Sequence, residues 1–222
     1  MLYLKPVQTG FPDDSDGEHV AHVAGGRHRL GLHAAQIYTD GAGTHAEGLT
    51  TGTIDCCTLF AWQRAVSPHL AVETEGRHAA DATVLEAIKA ELDASEAAGC
   101  EFRLVETAGG VASPAPSGTL QCDLLAPLGL PALLVGDGGL GGISATICAY
   151  EALRARRMEV SAVALLDGGL DNHVALCKHI GSPVITLPPI SADQRLADWL
   201  HESTAPLENL LQVITQPERV GM

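Results

Sequence analysis

Over the second half of the chain, short apolar runs alternate with segments of helical periodicity. Phe102 to Glu106, Ala132 to Gly136, Ala162 to Leu166 and Val184 to Leu187 are apolar runs bounded by Gly, Pro or Asp, the pattern of parallel strands buried on both faces. Ile143 to Arg157, Asp171 to Ile180 and Asp193 to Leu200 carry apolar residues at helical spacing. Strands alternating with helices predict an α/β fold, a mostly parallel sheet with helices on both faces. Earlier in the chain, Leu2 to Val7 reads as a strand already under way. Thr58 to Val66, ending near Ser67-Pro68, reads as a helix, and Asp81 to Ala98 as another, with Val84, Leu85, Ile88 and Leu92 on one stripe. Asp13 to Thr53 is rich in Gly, Asp, His and Thr, and its weak periodicity predicts no particular element.

The length of 222 residues suits one α/β domain, residues 1–222, around one core. Charge narrows the partners. The 13 Lys plus Arg against 27 Asp plus Glu give 13 − 27 = −14, the opposite of what a phosphate backbone attracts, so nucleic acid is not expected. The 6 cysteines are scattered without a C-x-x-C pair, as suits thiols kept reduced inside a cell. Leu124 to Val135 is broken by Pro127, Gly129 and Pro131, so no membrane span is expected and the protein should be soluble. No basic or Arg-rich leader opens the sequence, which starts directly on a strand.

In open α/β sheets ligands bind beyond the carboxyl ends of the strands. That rule selects Lys5 to Gly10, Glu106 to Val111, Gly136 to Gly142, Asp167 to Gly169 and Pro188 to Ile190. Lys5 is one of 3 lysines. At a strand end its ammonium could hold a phosphoryl group or a carboxylate; the competing reading is a surface lysine beside a turn. Glu106 ends a buried strand before Gly109-Gly110, where backbone N–H groups can approach an anion and the carboxylate can help hold Mg²⁺. One member of Asp13-Asp14-Ser15-Asp16 would suffice as a second carboxylate, although such a run is commonly a solvated loop. Gly136 to Gly142 contains G-x-G-x-x-G, but its acidic partner would fall near Glu159, before the next strand, which argues against a dinucleotide. The helix start there could instead receive a carboxylate or phosphate. His19-x-x-His22 has no third ligand, and Cys56-Cys57 is isolated.

Taken in order, Lys5 to Gly10, Asp16, Ser67-Pro68-His69, Val105 to Gly110 and the glycine-rich Val135 to Ile143 resemble dethiobiotin synthetase. Leu2 to Asp16, Thr58 to Ala71 and Leu104 to Ser144 look closest to the synthetase module of bifunctional proteins that also carry the diaminononanoate aminotransferase. The resemblance implies a phosphate-loop NTPase-like fold and an ATP- and Mg²⁺-dependent ligase. CO₂ adds to one amine of 7,8-diaminononanoate, ATP phosphorylates the carbamate, and the second amine closes a cyclic urea. It implies Lys5 as the catalytic cation bridging carbamate and γ-phosphate, and Asp16 and Glu106 as Mg²⁺ ligands. Thr9, Ser67, Pro68 and His69 are implied on the substrate. Glu106, Gly109, Gly110, Val111, Asp167, Pro188, Pro189 and Ile190 are implied on the nucleotide. Gly138 to Ser144 is implied at a homodimer interface. A mitochondrial location goes with the bifunctional type, a cytoplasmic one otherwise.

Two departures qualify that implication. No G-x-x-x-x-G-K-[ST] string occurs among the 222 residues, although the family carries one upstream of the position of Lys5. The chain is therefore expected to be N-terminally truncated, without the first strand and phosphate loop, and to bind ATP poorly, each missing charge-assisted bond being worth roughly 1.5–3 kcal/mol. Second, Leu166-Asp167 stands where many bacterial relatives have Asn-Asp facing adenine, and leucine makes no amide hydrogen bonds. A non-catalytic remnant serving as a partner or dimerisation subunit, and another phosphate-loop ligase, are the alternatives. The catalytic assignment requires Lys5, Asp16 and Glu106 to meet in space.

Overall fold

Because its side chains are buried along nearly the whole of its length, the first strand can sit inside a sheet. The computed structural model describes residues 1–31, 33–35, 54–191 and 193–215. Those residues form two compact units, Met1–Leu128 and Gly129–Met222. The first runs β1 (Leu2–Thr9), α1 (Asp16–Ala24), β2 (Arg27–Leu30), β3 (Asp55–Trp62), α2 (Pro68–Glu75), α3 (Asp81–Ala97), β4 (Arg103–Val105), α4 (Gln121–Leu125) and a 3-10 turn (Ala126–Leu128). Its sheet has the order β2-β3-β1-β4, every pair parallel.

Strand alternation sends successive side chains to opposite faces. Leu2, Leu4, Cys57 and Leu59 pack with Ala71, Val72, Val84 and Ile88 of α2 and α3 on one face. Tyr3 and Cys56 pack with Ala21 of α1 on the other. Helices therefore cover both faces of this sheet, as the pattern predicts. The outer strand β2 carries Arg27 and Arg29, which reach Asp55 at 3.1 and 3.0 Å. Charge on an outer strand discourages edge-to-edge pairing.

The helix predicted from Thr58 to Val66 is not one. Those residues supply the second half of β3, whose eight residues are all buried, and the turn after it. A strand covered on both faces is apolar at every position, so its periodicity does not separate it from a buried helix. Lys5 is likewise inside β1 rather than at its end, opposite Thr58. Within Asp13 to Thr53, where the sequence predicts no element, α1 and β2 form; residues 36–53 lie outside the described residues. The Ser15 hydroxyl caps α1 by accepting from the Glu18 N–H at 3.3 Å, and Asp16 and Glu18 put negative charge at the positive end of the helix.

The second unit runs β5 (Ala132–Asp137), α5 (Gly142–Ala155), β6 (Val160–Leu166), α6 (Asn172–His179), β7 (Val184–Leu187), α7 (Leu196–Glu202) and α8 (Thr204–Thr215). Its sheet, β5-β6-β7, is again parallel. Ala162, Ala164, Ile185 and Leu187 pack against Trp199 of α7 and Leu210 of α8, and α5 packs on β5. From β5 to α7 the strands and helices match the predicted segments to within a few residues, whereas α8 matches none of them. The turn after β5 touches the turn after β6 backbone to backbone: a Cβ at Gly138 would lie 2.0 Å from the Leu166 carbonyl oxygen. The Asn172 amide closes the corner, donating to the carbonyls of Asp137 at 3.2 Å and Gly139 at 2.8 Å.

Candidate active site

Strand register brings the first two groups of the site together. Leu4 lies opposite Val105, and the Glu106 N–H donates to the Leu4 carbonyl at 2.9 Å, so Glu106 follows β4 directly beside Lys5. The Lys5 Nζ donates to Glu106 Oε1 at 2.7 Å and to the Thr107 carbonyl at 3.2 Å. The start of α1 supplies the third group, Asp16 Oδ2, 2.6 Å from Lys5 Nζ. The cation is 4% exposed, whereas the Asp16 and Glu106 side chains are 40% and 44% exposed. A buried ammonium thus lies under two carboxylates that face solvent, and one positive against two negative charges leaves the cluster at −1.

Tyr3, two residues before Lys5 and on the same face, donates its hydroxyl to Glu106 Oε2 at 2.6 Å. Both Glu106 oxygens are therefore engaged, while Asp16 Oδ1 has no partner among the described residues. Burial, then the hydrogen bond to Glu106 and the charges of Glu106 and Asp16, push the Tyr3 phenol far above its ordinary value near 10. Because the folded value lies above the unfolded one, the stability that Tyr3 contributes is complete below about pH 10 and is lost as pH rises beyond it. Tyr3→Phe is expected to flatten the alkaline limb of the stability curve. Urea unfolding at a series of pH values measures it, and an unchanged limb contradicts the assignment.

Beneath α1, His28 Nε2 lies 3.0 Å from Thr58 Oγ1, and burial is the main cause holding the imidazole pKa below its usual value. After β4, the loop has an arrangement suited to anions. The carbonyls of Gly109, Gly110 and Val111 accept from the Thr107 hydroxyl and from the Ser113 and Cys122 N–H groups. Their own N–H groups donate to nothing among the described residues, which leaves three consecutive donors available to an anion.

The AAA domain family model matches residues 1–192. The chain belongs to that family. It is also similar to proteins whose names share the dethiobiotin synthetase activity. It is 41% identical over 239 aligned positions to the mitochondrial bifunctional dethiobiotin synthetase/7,8-diamino-pelargonic acid aminotransferase of Arabidopsis thaliana, covering 91% of this chain and 29% of that protein. The Emericella nidulans bifunctional dethiobiotin synthetase/adenosylmethionine-8-amino-7-oxononanoate aminotransferase is 36% identical, over 87% of this chain and 21% of that protein. The ATP-dependent dethiobiotin synthetase BioD of Haloferax mediterranei is 29% identical, over 85% of this chain and 70% of that protein. The chain spans 29% of the length of both plant relatives.

In this AAA domain chain, the other positions selected from the sequence are distributed as follows. Thr9 ends β1 opposite Trp62. Ser67, Pro68 and His69 begin α2, with the Ser67 hydroxyl 2.9 Å from His69 Nδ1 and Pro68 buried in the first turn. Thr9 is thus at the carboxyl end of β1, and Ser67 to His69 follow the carboxyl end of β3. Asp13 and Asp14 are exposed, and Asp16 alone of that acidic run reaches Lys5. Asp167 and Pro188 to Ile190 belong to the second unit, following β6 and β7; the Asp167 N–H donates to the Leu187 carbonyl at 2.9 Å, and Trp199 Nε1 donates to the Pro188 carbonyl at 2.9 Å. Among the described residues no helix is long and apolar enough to cross a membrane, and no cluster of three His, Cys, Asp or Glu could hold a metal. Sequence reasoning missed Tyr3, Gln8, His28 and Thr58. For Tyr3 the signal was available, because residues two apart on a strand share a face.

Proposed function

We propose that this chain carries out the synthetase chemistry that its relatives are named for, the ATP-dependent closure of a cyclic urea from 7,8-diaminononanoate and CO₂. The observation that carries the reading is the buried Lys5 ammonium between Asp16, which opens α1, and Glu106, which directly follows the carboxyl end of β4, where ligands of open α/β sheets bind. An amine nitrogen attacks CO₂ and loses a proton, giving a carbamate. A carbamate oxygen attacks the γ-phosphorus and ADP leaves. The second amine then attacks the carbamate carbon, losing its proton as inorganic phosphate departs and the ring closes.

In this reading Lys5 stabilises charge on the transferring group from a fixed position, which phosphoryl transfer needs more than covalent help. The donor set fits Mg²⁺: two half-exposed carboxylates, one with a free oxygen, are the small all-oxygen contribution that this ion takes when phosphates and water complete its shell. Bound there, Mg²⁺ would neutralise phosphate charge. Tyr3 holds Glu106 in place by its hydroxyl. The free N–H groups of Gly109, Gly110 and Val111 would receive phosphate oxygens, and Thr9 with Ser67, Pro68 and His69 would border the diamine. Asp167 and Pro188 to Ile190 are a separate proposal for nucleotide contact made by the second unit. A homodimer through Gly138 to Ser144, association with an aminotransferase and a mitochondrial location belong to the same reading.

Because the 222 residues hold no G-x-x-x-x-G-K-[ST] string, the chain alone is expected to bind ATP weakly and to fail to support a dethiobiotin-requiring strain. The same chain preceded by a relative's strand and phosphate loop is expected to restore growth. Growth with the chain alone contradicts the weak binding. No growth with the extended form, despite accumulation of folded protein, sinks the function.

A further inference from the structure

The three charged groups of the site are not held in the same way. Lys5 lies inside β1, and Glu106 is fixed by strand pairing through the Leu4 carbonyl. Asp16 lies on neither strand. It opens α1 after a turn whose Pro12, Asp13 and Asp14 are exposed, so its position depends on whatever ties that turn down.

Gln8 ties it. Its side chain is buried in β1, where Nε2 donates to the carbonyls of Thr9 at 2.8 Å and Asp14 at 2.7 Å. Its Oε1 accepts from the Asp16 N–H at 3.1 Å. One amide therefore holds the first and last parts of the turn, and its third bond goes to the backbone of the residue whose carboxylate grips Lys5. The next residue leaves little slack. A Cβ at Gly17 would lie 2.8 Å from the His28 ring and 3.0 Å from Thr58 Oγ1, so the first turn of α1 rests directly on β2 and β3.

We infer that Gln8 is a positioning residue, whose side-chain amide sets where the Asp16 carboxylate stands and so prepares the pair that binds the divalent cation. This rests on the reading of Asp16 and Glu106 as that pair. Groups that hydrogen-bond the ligands of a metal fix the geometry those ligands need.

The test on the full chain is the energetic coupling of Lys5 and Asp16. Urea unfolding of Lys5→Met, Asp16→Asn and the double variant gives it, and the cycle is repeated in a Gln8→Met background. Coupling is expected with Gln8 present and lost without it. A merely structural Gln8 would lower stability and leave the coupling intact. Gln8→Asn, which keeps the amide but is one methylene too short, is the second background should Gln8→Met not fold, and it is expected to lose the coupling too. Mn²⁺ binding followed by electron paramagnetic resonance is the second readout: Asp16→Asn and Gln8→Met should each weaken it by about tenfold, and the combination no further than Asp16→Asn. Coupling that persists in the Gln8 backgrounds, or that is absent from the unmodified chain, overturns the positioning role. Mn²⁺ binding indifferent to Asp16→Asn overturns the cation reading instead, and the coupling cycle still decides for Gln8.

Discussion

Converting both Asp16 and Glu106 to their amides will destabilise the folded chain by about 3 kcal/mol, whereas Lys5→Met will cost about 1 kcal/mol. The asymmetry follows from which partner is buried. Lys5 is 4% exposed, so an ammonium left there without a counter-charge keeps only neutral acceptors, among them the Thr107 carbonyl at 3.2 Å. The carboxylates, at 40% and 44% side-chain exposure, retain water when the cation is removed, and Glu106 retains the Tyr3 hydroxyl. Urea unfolding near neutral pH measures both changes. If Lys5→Met proves the costlier of the two, the burial argument for this site is wrong.

For Gly138→Ala the expected loss is also about 3 kcal/mol, through overpacking that no side-chain movement can relieve. The added Cβ would meet the Leu166 carbonyl oxygen at 2.0 Å and the Gly168 nitrogen at 2.5 Å. Both are backbone atoms, so the turns after β5 and β6 must separate. Gly139→Ala is the matched control, because its Cβ would meet only the Asp137 carboxylate, at 3.1 Å, and that side chain can turn away. Hydrogen exchange of β5 and β6 should accelerate in the first variant and stay unchanged in the second. Equal stability of the two variants would refute close backbone approach as the reason for glycine at 138.

That position shows how a correct motif can carry an incomplete explanation. The glycine-rich segment was visible in the sequence and suggested an anion at a helix start, yet its tightest requirement comes from a loop some thirty positions onward. β3 is the opposite case, a segment seen and assigned the wrong element. Its uniformly apolar residues fit a buried helix as well as a strand, and only pairing with β1 and β2 distinguishes them. Lys5 and Glu106 are legible as chemistry because a lysine read at a strand end and a carboxylate before a double glycine are unusual, although the structure puts Lys5 inside β1. Gln8 was not, since its value lies in three bonds to a turn whose path no local pattern specifies.

By itself the sequence determined the alternation of strands and helices over the second half of the chain, the parallel class of the sheets and the family, because periodicity, turn residues and ordered motifs are local properties of the chain. Tertiary structure alone decided that Lys5 is buried rather than a surface charge, and that Asp16 and Glu106 reach it from different elements. It also decided which neighbours, Tyr3 and Gln8, hold those carboxylates. Strand register and helix seating set these distances, and both depend on residues as far apart as 103 positions.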